Sequence, residues 1–321
     1  MITSTAVPRA PERSEQQALI RMIDLALRPG ASLSAADDMP LLIHPGPGLD
    51  RLVVVDDDGA LAAHAAARDL EIQGPEGERL VLAAIGGVCT RRDLRGRGHA
   101  RALVDGLCDR ALERGAVAAI LWSEKHDFYA KLGFSPAGRE TRCVVERSAL
   151  PSPAGFAVRP LTPRDVPALV NLRLLDPMPI RRLYKDAKLL FAMPRTRTYV
   201  AVRDAAIVGY AVIGKGLDFP DIIHEWSGAQ DVLPGLFRET LIAEGLAQTL
   251  VIGPSWSKDF AAAVLPVASH REEHAVGLVR PLDLPALRAY LPVDFAALEA
   301  PALVKAVFDE LPFYVWGLDS V

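Results

Sequence analysis

The chain has 321 residues, which is too long for one ordinary domain and fits two domains of about 150 residues each. Half of the residues are hydrophobic and 24% are charged, so there is enough apolar material for two packed cores, and intrinsic disorder of the whole chain is excluded. The formal net charge is −4, and acidic residues slightly outnumber basic ones in each half, which argues against a nucleic-acid partner.

The cysteines and the apolar segments indicate the cellular compartment in which the protein is expected. Cys89, Cys108 and Cys143 are an odd number at wide spacing, which predicts neither a disulfide framework nor a Cys-x-x-Cys metal site. We therefore expect no bound metal and a reducing, cytoplasmic environment. The most apolar stretch, 80–89, is far shorter than the ~18 residues that span a bilayer, and no signal-like segment opens the chain, so we predict no membrane partner.

In chain order, the first half predicts a helix, three antiparallel strands, a second helix and a further strand. Apolar residues recur at helical spacing over 15–27, and Arg28-Pro29-Gly30 ends that helix. Apolar and β-branched runs separated by turn residues follow it. They predict strands over 52–55, 61–70 and 79–90, a helix over 100–113 and a strand over 117–122.

Pro151-Ser152-Pro153 is the best linker position, because prolines and small polar residues cannot extend a helix or a central strand. We place the domain boundary there, with a first domain over 1–150 and a second over 154–321. The second half repeats the order of the first, which predicts a degenerate internal duplication. Its predicted elements are strands over 156–161, 198–202, 207–214, 222–226 and 250–252 and helices over 166–175 and 232–244.

The segment over 88–101, VCTRRDLRGRGHAR, links the long strand to the second helix. Gly96 and Gly98 allow the backbone to curl so that successive amides point into one concavity, and the helix starting near Ala100 adds its positive end, which predicts an anion site. The alternative is a plain glycine turn with solvated arginines. A dinucleotide-binding fingerprint is excluded because Arg101 stands where it requires glycine, and a Walker loop is excluded because Gly-Lys-Ser/Thr is absent.

Two motifs in this half resemble the GNAT superfamily of acyl-CoA-dependent N-acyltransferases. Arg95-x-x-Gly98-x-Ala100 is similar to the pyrophosphate loop R/Q-x-x-G-x-G/A of that family, and FYAKLGF over 128–134 resembles its signature of a tyrosine before Gly-Phe. The resemblance covers 15–148 and is closest to the Eis-like branch of multidomain acetyltransferases. It implies an α/β fold with α+β mixed sheets, built as two GNAT-like domains in tandem, the second degenerate.

The resemblance implies acetyl-CoA as co-substrate. The end of the strand, Val88, Cys89 and Thr90, would pair its backbone with the pantetheine arm. Gly86-Gly87 would carry a bulge that opens a slot for the thioester, with Ser123-Glu124-Lys125 on the other side; a mere packing kink at the two glycines is the alternative. The residues expected to hold the pyrophosphate are Arg95, Gly96, Arg97, Gly98, His99, Ala100 and Arg101.

Attack of an amine on a thioester needs an acid for the leaving thiolate and a base for the amine. The resemblance assigns the acid to Tyr129, and the chemistry agrees, since a tyrosine near pKa 10 and a thiol near pKa 8.5 are mismatched by only about 2 kcal/mol. The alternative is that the Tyr129 ring packs under the sheet with its hydroxyl at the rim.

The identity of the general base is open, because the glutamate that the family often carries in the strand before the loop is missing from 80–90. Glu124, His126, Asp127 and His64 are alternatives. In the Eis-like branch the terminal carboxylate reaches the first active site. We therefore predict that the apolar tail over 313–321 docks as a strand and brings Asp319 or the Val321 carboxylate near Tyr129.

The loop over 227–231 in the second half has no arginine and no second glycine, so we expect it to bind no pyrophosphate and its domain to form a wall of the substrate cleft. A further module of about 100 residues, as Eis-like proteins have, is not expected after it. The predicted function is acetyl transfer to a primary amine of a small molecule or peptide. The alternative is a non-catalytic acyl-CoA-binding sensor or scaffold. The resemblance also implies self-association into a homo-oligomer.

Overall fold

The computed structural model describes residues 7–74, 77–289 and 299–320. Thirteen strands are found in these ranges: β1 (Leu49–Val55), β2 (Leu61–Gln73), β3 (Arg79–Thr90), β4 (Ala118–Leu121), β5 (Ser135–Ala137), β6 (Glu140–Glu146), β7 (Ala157–Pro160), β8 (Arg197–Arg203), β9 (Ala206–Ile213), β10 (Ile223–Gly228), β11 (Gln248–Pro254), β12 (Ala268–His274) and β13 (Gly277–Pro281). The α-helices are α1 (Gln16–Leu27), α2 (Ala35–Asp38), α3 (Pro40–Ile43), α4 (His99–Glu113), α5 (His126–Ala130), α6 (Val166–Arg173), α7 (Tyr184–Phe191), α8 (Leu233–Ala243), α9 (Lys258–Ala263), α10 (Leu284–Arg288) and α11 (Ala300–Glu310).

The described strands form two mixed sheets, of six and seven strands, that share an order of three antiparallel strands followed by a parallel one. The first runs β1-β2-β3-β4-β13-β5 and the second β12-β6-β11-β10-β9-β8-β7. In the first sheet β1, β2 and β3 are antiparallel, and β4 returns parallel to β3 after the α4 crossover. In the second, β8, β9 and β10 are antiparallel, and β11 returns parallel to β10 after α8. The predicted mixed-sheet fold class and the repeated element order are confirmed.

The two sheets exchange one strand each. Strand β6, from the first half of the chain, lies in the second sheet between β11 and β12. Strand β13, from the second half, lies in the first sheet between β4 and β5. The boundary at 151–153 stays a prediction about the chain, but neither sheet is complete without a strand from beyond it.

Helix α4 packs over the first sheet and carries the loop whose function is in question. Its buried residues include Leu103, Val104, Leu107 and Ala111, which is the three- and four-residue spacing of one helix face. Burying this stripe against β1, β2 and β3 fixes the direction of the helix, and therefore points its N-terminus at the end of β3.

The tail packs back onto the protein, but not as a strand. Residues 313–318 are buried, and the Gly317 amide donates to the His224 carbonyl at 3.2 Å. A single bridge, between Met178 and Phe313, is the only strand-like pairing of the tail among the described residues, and the tail joins neither sheet. The predicted strand geometry is wrong. Met178, His224 and Trp226, which contact the tail, all belong to the second half of the chain, so its packing toward the first domain stays a prediction. Ring contacts of Tyr314 and Trp316 replace a backbone ladder.

Candidate functional site

A slot opens where β3 and β4 separate. The two parallel strands pair only as far as Ala84 and Ile120. Beyond that point lies a cavity of about 730 Å³, and its wall includes Gly86, Gly87 and Val88 from β3. Leu121, Trp122 and Ser123, at the end of β4 and after it, line the facing side. Because no described strand pairs with β3 beyond Ala84 on this side, its backbone edge is free to bind an extended ligand.

A β-bulge at the two glycines produces this separation. Strand β2 pairs Ala66 with Gly86 but His64 with Cys89, so β3 carries one extra residue between the two pairs. Gly87 takes up the bend at a φ of +61°. The predicted bulge is present.

His64 supports the bulge from within the core. Its Nδ1 donates to the Gly87 carbonyl at 2.9 Å, and the side chain is fully buried. Burial lowers the pKa of His64 to about 4, and the charge of Arg51 adds to this shift, so the ring is neutral at pH 7. His64 does not line the cavity, so its position fits a support for Gly87 rather than a base that meets an amine.

Replacing Gly87 by alanine should destabilise the fold. A Cβ there would lie 3.2 Å from His64 Cε1, at a positive φ that costs an L-residue about 1–2 kcal/mol. Gly59→Ala is the matched control, because its φ is +79° and its Cβ would meet nothing within 4 Å. We expect a larger loss of unfolding free energy for Gly87→Ala in urea titrations. Equal losses would mean that the His64 contact is unimportant.

The loop before α4 has the geometry of an anion cradle. Gly96 and Gly98 take φ values of +79° and +84°, and α4 begins at His99. Among the described residues, the amides of Gly98, His99, Ala100 and Arg101 donate to no acceptor. A Cβ built on Gly96 or Gly98 would meet nothing within 4 Å, so the concavity is open. Free amides at the positive end of a 15-residue helix fit a pyrophosphate.

The arginines of this segment divide into two groups. Arg91 is held by Asp56 and Asp93, at 2.8 Å from each carboxylate. Arg95 Nε donates to the Thr90 carbonyl at 3.3 Å, and Arg101 Nη2 to the Lys131 carbonyl at 2.9 Å. Arg97 is exposed, and no hydrogen bond ties its guanidinium to the described residues. Arg91 is therefore structural, whereas Arg97 is free to meet a phosphate.

The three predicted strand residues do not all face the slot. Val88 lines the cavity, but the Cys89 side chain packs in a separate cluster with Leu19 and Ile23 of α1. Burial raises the pKa of the Cys89 thiol to about 12, so it is inert. Only the backbones of Cys89 and Thr90 remain available for the predicted pairing.

Tyr129 lies at the inner end of the slot. Its ring is buried against Phe128 and Phe134, with centroids at 4.9 and 5.8 Å in edge-to-face contacts. The residue lines the cavity, and no hydrogen bond of its hydroxyl is found among the described residues. Burial raises the pKa of Tyr129, so the phenol stays protonated at neutral pH. This geometry is consistent both with a Tyr129 that only packs below the sheet and with a Tyr129 that acts as the general acid.

The predicted bases are scattered. Glu124 and His126 are exposed on the cavity wall, whereas Asp127 is exposed elsewhere. Asp319 is buried, both of its carboxylate oxygens accept from Arg182 at 2.8 Å, and it is absent from the cavity wall that contains Tyr129. Val321 lies outside the described residues. Its neighbour Ser320 shares the cavity wall with Tyr129.

Part of the wall comes from residues that sequence reasoning missed. Lys215, Asp218 and Phe219 reach the cavity from the second half of the chain. Arg28, at the end of α1, donates to Asp218 at 3.1 Å and to Asp38 at 2.7 Å. In the sequence, the sign of this wall is a lysine, Lys215, between two glycines directly after a predicted strand. The residues that Lys215 contacts could not be predicted from that pattern.

The equivalent place in the second sheet is filled. The Trp226 ring of β10 stacks on Phe260 at 4.9 Å, and its Nε1 donates to the Ile252 carbonyl of β11 at 3.0 Å. Trp316 of the tail contacts the same ring edge to face at 5.1 Å. These aromatic rings occupy the space that the first sheet leaves open.

Two further classes of site are not seen in the part of the chain that the structure describes. It holds no cluster of three or more His, Cys, Asp or Glu side chains that could bind a metal ion. No helix within it is both long and apolar enough to cross a membrane.

Known proteins share this architecture. A family model described as the acetyltransferase (GNAT) domain matches residues 8–137. A probable N-acyltransferase of unknown function from Enterococcus faecalis V583 has a TM-score of 0.70 at 13% identity, covering 88% of this chain and 74% of that one. A search of curated protein sequences finds no match.

Two other solved structures bear on the tandem arrangement. Eis1 from Mycobacterium abscessus has a TM-score of 0.62 at 16% identity, with 87% of this chain and 75% of that one covered. A tandem GNAT protein from the clavulanic acid biosynthesis pathway has a TM-score of 0.52 at 16% identity, with 86% and 98% covered. At these identities the likeness shows the fold, which is that of two GNAT-like units in tandem.

Proposed function

Since residues 8–137 belong to the GNAT acetyltransferase family, we propose that this protein moves an acetyl group from acetyl-CoA to a primary amine in the slot between β3 and β4. The observation that carries the proposal is the arrangement along this slot. Beyond Ala84 the edge of β3 is unpaired with β4, Tyr129 stands in the wall of the 730 Å³ cavity, and the loop that follows β3 presents the unpaired amides of Gly98 to Arg101 at the start of α4.

The chain's own residues supply binding and proton transfer. Acetyl-CoA supplies an acetyl group activated as a thioester. The amides of Gly98 to Arg101, with Arg97, would hold its pyrophosphate, and the backbone of Val88 to Thr90 would align its arm. Tyr129 would donate its phenolic proton to the departing sulfur as the C–S bond breaks, because burial keeps that proton on oxygen at neutral pH.

The acceptor amine must lose a proton, which costs roughly 4–5 kcal/mol at pH 7 for a pKa of about 10.4. We propose that the Val321 carboxylate accepts this proton, with Glu124 on the facing wall as the second choice. Adding one glycine after Val321 moves that carboxylate without disturbing Asp319, whereas Glu124→Gln removes the other group. The variant that loses kcat while retaining acetyl-CoA binding identifies the base; two fully active variants would exclude both.

We propose that the second unit has no cofactor site and forms one wall of the substrate cleft. Trp226, Phe260 and Trp316 fill its corresponding slot, and Lys215, Asp218 and Phe219 extend the first unit's cavity. We propose no metal and no nucleic acid in the reaction.

The test is thiol release from acetyl-CoA with a panel of amines: amino acids, polyamines, amino sugars and a lysine peptide. Release that depends on the amine supports the enzyme. Binding of acetyl-CoA without release on any amine would instead support the non-catalytic sensor or scaffold.

A further inference from the structure

Lys215 is a buried cation that the proposed reaction does not use. It follows β9 and is 4% exposed. Its Nζ donates to the Gly317 carbonyl at 2.8 Å, the Ser320 carbonyl at 2.5 Å and the Ser320 hydroxyl at 3.1 Å. Burying an ammonium group is costly unless hydrogen bonds compensate it, and here all three N–H groups go to one short segment of the tail.

A second buried cation holds the same segment by a different atom. Arg182 Nε and Nη2 each donate to Asp319 at 2.8 Å. Arg182 Nη1 and Nη2 also donate to the Glu225 carboxylate, at 2.6 and 2.5 Å, and the Tyr210 hydroxyl donates to the same carboxylate at 2.7 Å. Arg182 therefore fixes the Asp319 side chain, while Lys215 fixes the backbone on both sides of it.

The segment held in this way forms part of the cavity. Ser320 and Lys215 lie on the wall that also contains Tyr129. We propose that Lys215 is a positioning residue, which holds the end of the tail against the acetyl-transfer cavity and so sets the acceptor side of the site. The catalytic consequence rests on the proposed function, whereas the anchoring itself does not.

The charge state of the anchor changes just above neutral pH. Burial lowers the pKa of Lys215 to about 8, against the opposing charge of the neighbouring carboxylates. A neutral amine has two N–H groups for three acceptors, so at least one bond to the tail is lost on deprotonation. The charged and titratable groups facing it are Asp38, Asp218, Glu225, Asp319, Arg28, Arg68, Arg182 and His224.

The lowered pKa also sets how unfolding depends on pH. Because the folded pKa lies below the ordinary value of about 10.4, the unfolded chain binds more protons between about pH 8 and pH 10. The titration of Lys215 alone therefore raises the free energy of unfolding with pH in this window. The same sign holds for any opening of the tail that returns Lys215 to solvent.

Hydrogen exchange on the full chain tests the anchor directly. The reporters are the amides of Gly317, Asp319 and Ser320, which donate to His224 and Trp316. In Lys215→Met their protection factors should fall about tenfold or more, because hydrogen bonds to a charged group are lost, while those of β9 stay unchanged. Lys258→Met, an exposed lysine at the start of α9, is the matched control. Unchanged protection of these amides in Lys215→Met overturns the proposal.

A second measurement is the rate of turnover. In turnover assays, Lys215→Met should lower kcat and leave KM for acetyl-CoA unchanged, because the loop over 95–101 is untouched. Full kcat with a loosened tail would refute the positioning role. A loosened tail with no turnover by the wild type would refute the proposed function alone.

Discussion

Gly98→Glu should abolish binding of acetyl-CoA and leave the protein folded. The residue is the N-cap of α4 at a φ of +84°, and its Cβ would point into open space. A carboxylate there repels the pyrophosphate at the spot where the free amides converge. A ligand at about 100 times its Kd stabilises the folded state by about 2.7 kcal/mol, so the wild type should melt several degrees higher with acetyl-CoA and the variant should not respond.

Gly115→Glu is the matched control for this experiment. Gly115 lies just beyond the other end of the same helix, at a φ of +86° and with nothing within 4 Å of its Cβ. Both variants carry the same backbone strain of about 1–2 kcal/mol, but only Gly98→Glu places the charge at the loop. If both variants respond to acetyl-CoA like the wild type, the loop is a turn with arginines and the cofactor site lies elsewhere.

Tyr129→Phe should lower kcat about 100-fold or more, because general acid catalysis contributes factors of that order. KM for acetyl-CoA should change little, since the loop amides are untouched. Stability should also change little, because the hydroxyl has no partner among the described residues and the ring contacts to Phe128 and Phe134 remain. Steady-state kinetics with a responsive amine, together with melting curves, measure all three quantities.

Tyr184→Phe is the control, an exposed tyrosine at the start of α7. Its kcat should equal that of the wild type. Because burial raises the pKa of Tyr129 above its ordinary value, loss of the wild-type rate through its titration should appear only at a higher pH than for a free tyrosine. Full activity of Tyr129→Phe would leave the tyrosine with only a packing role and would require another acid.

The geometry of the proposed cofactor loop could be predicted from sequence because its signals are local. The loop over 95–101 is defined by two glycines and a helix start within a few residues, and the backbone adopts the positive φ values that only glycine takes readily. The bulge likewise follows from Gly86-Gly87 inside a strand of β-branched and small residues. In each case the residues that form the feature are neighbours in the chain.

The acceptor half could not be predicted, because its parts come from distant segments. Nothing local marks β6 and β13 as exchanged strands, since alternation and β-propensity indicate a strand but do not name its partner. His64 is one of four alternatives for the base by its residue type, and the fold instead places it behind the bulge.

The sequence by itself therefore determined the order of elements, the tandem fold and the predicted phosphate loop, through spacing and backbone chemistry that act over a few residues. Tertiary structure alone decided the strand exchange, the path of the tail and the contacts of Lys215 with Gly317 and Ser320. The physical reason is that these depend on which distant groups can be buried together with their hydrogen bonds satisfied, and no local pattern records that outcome.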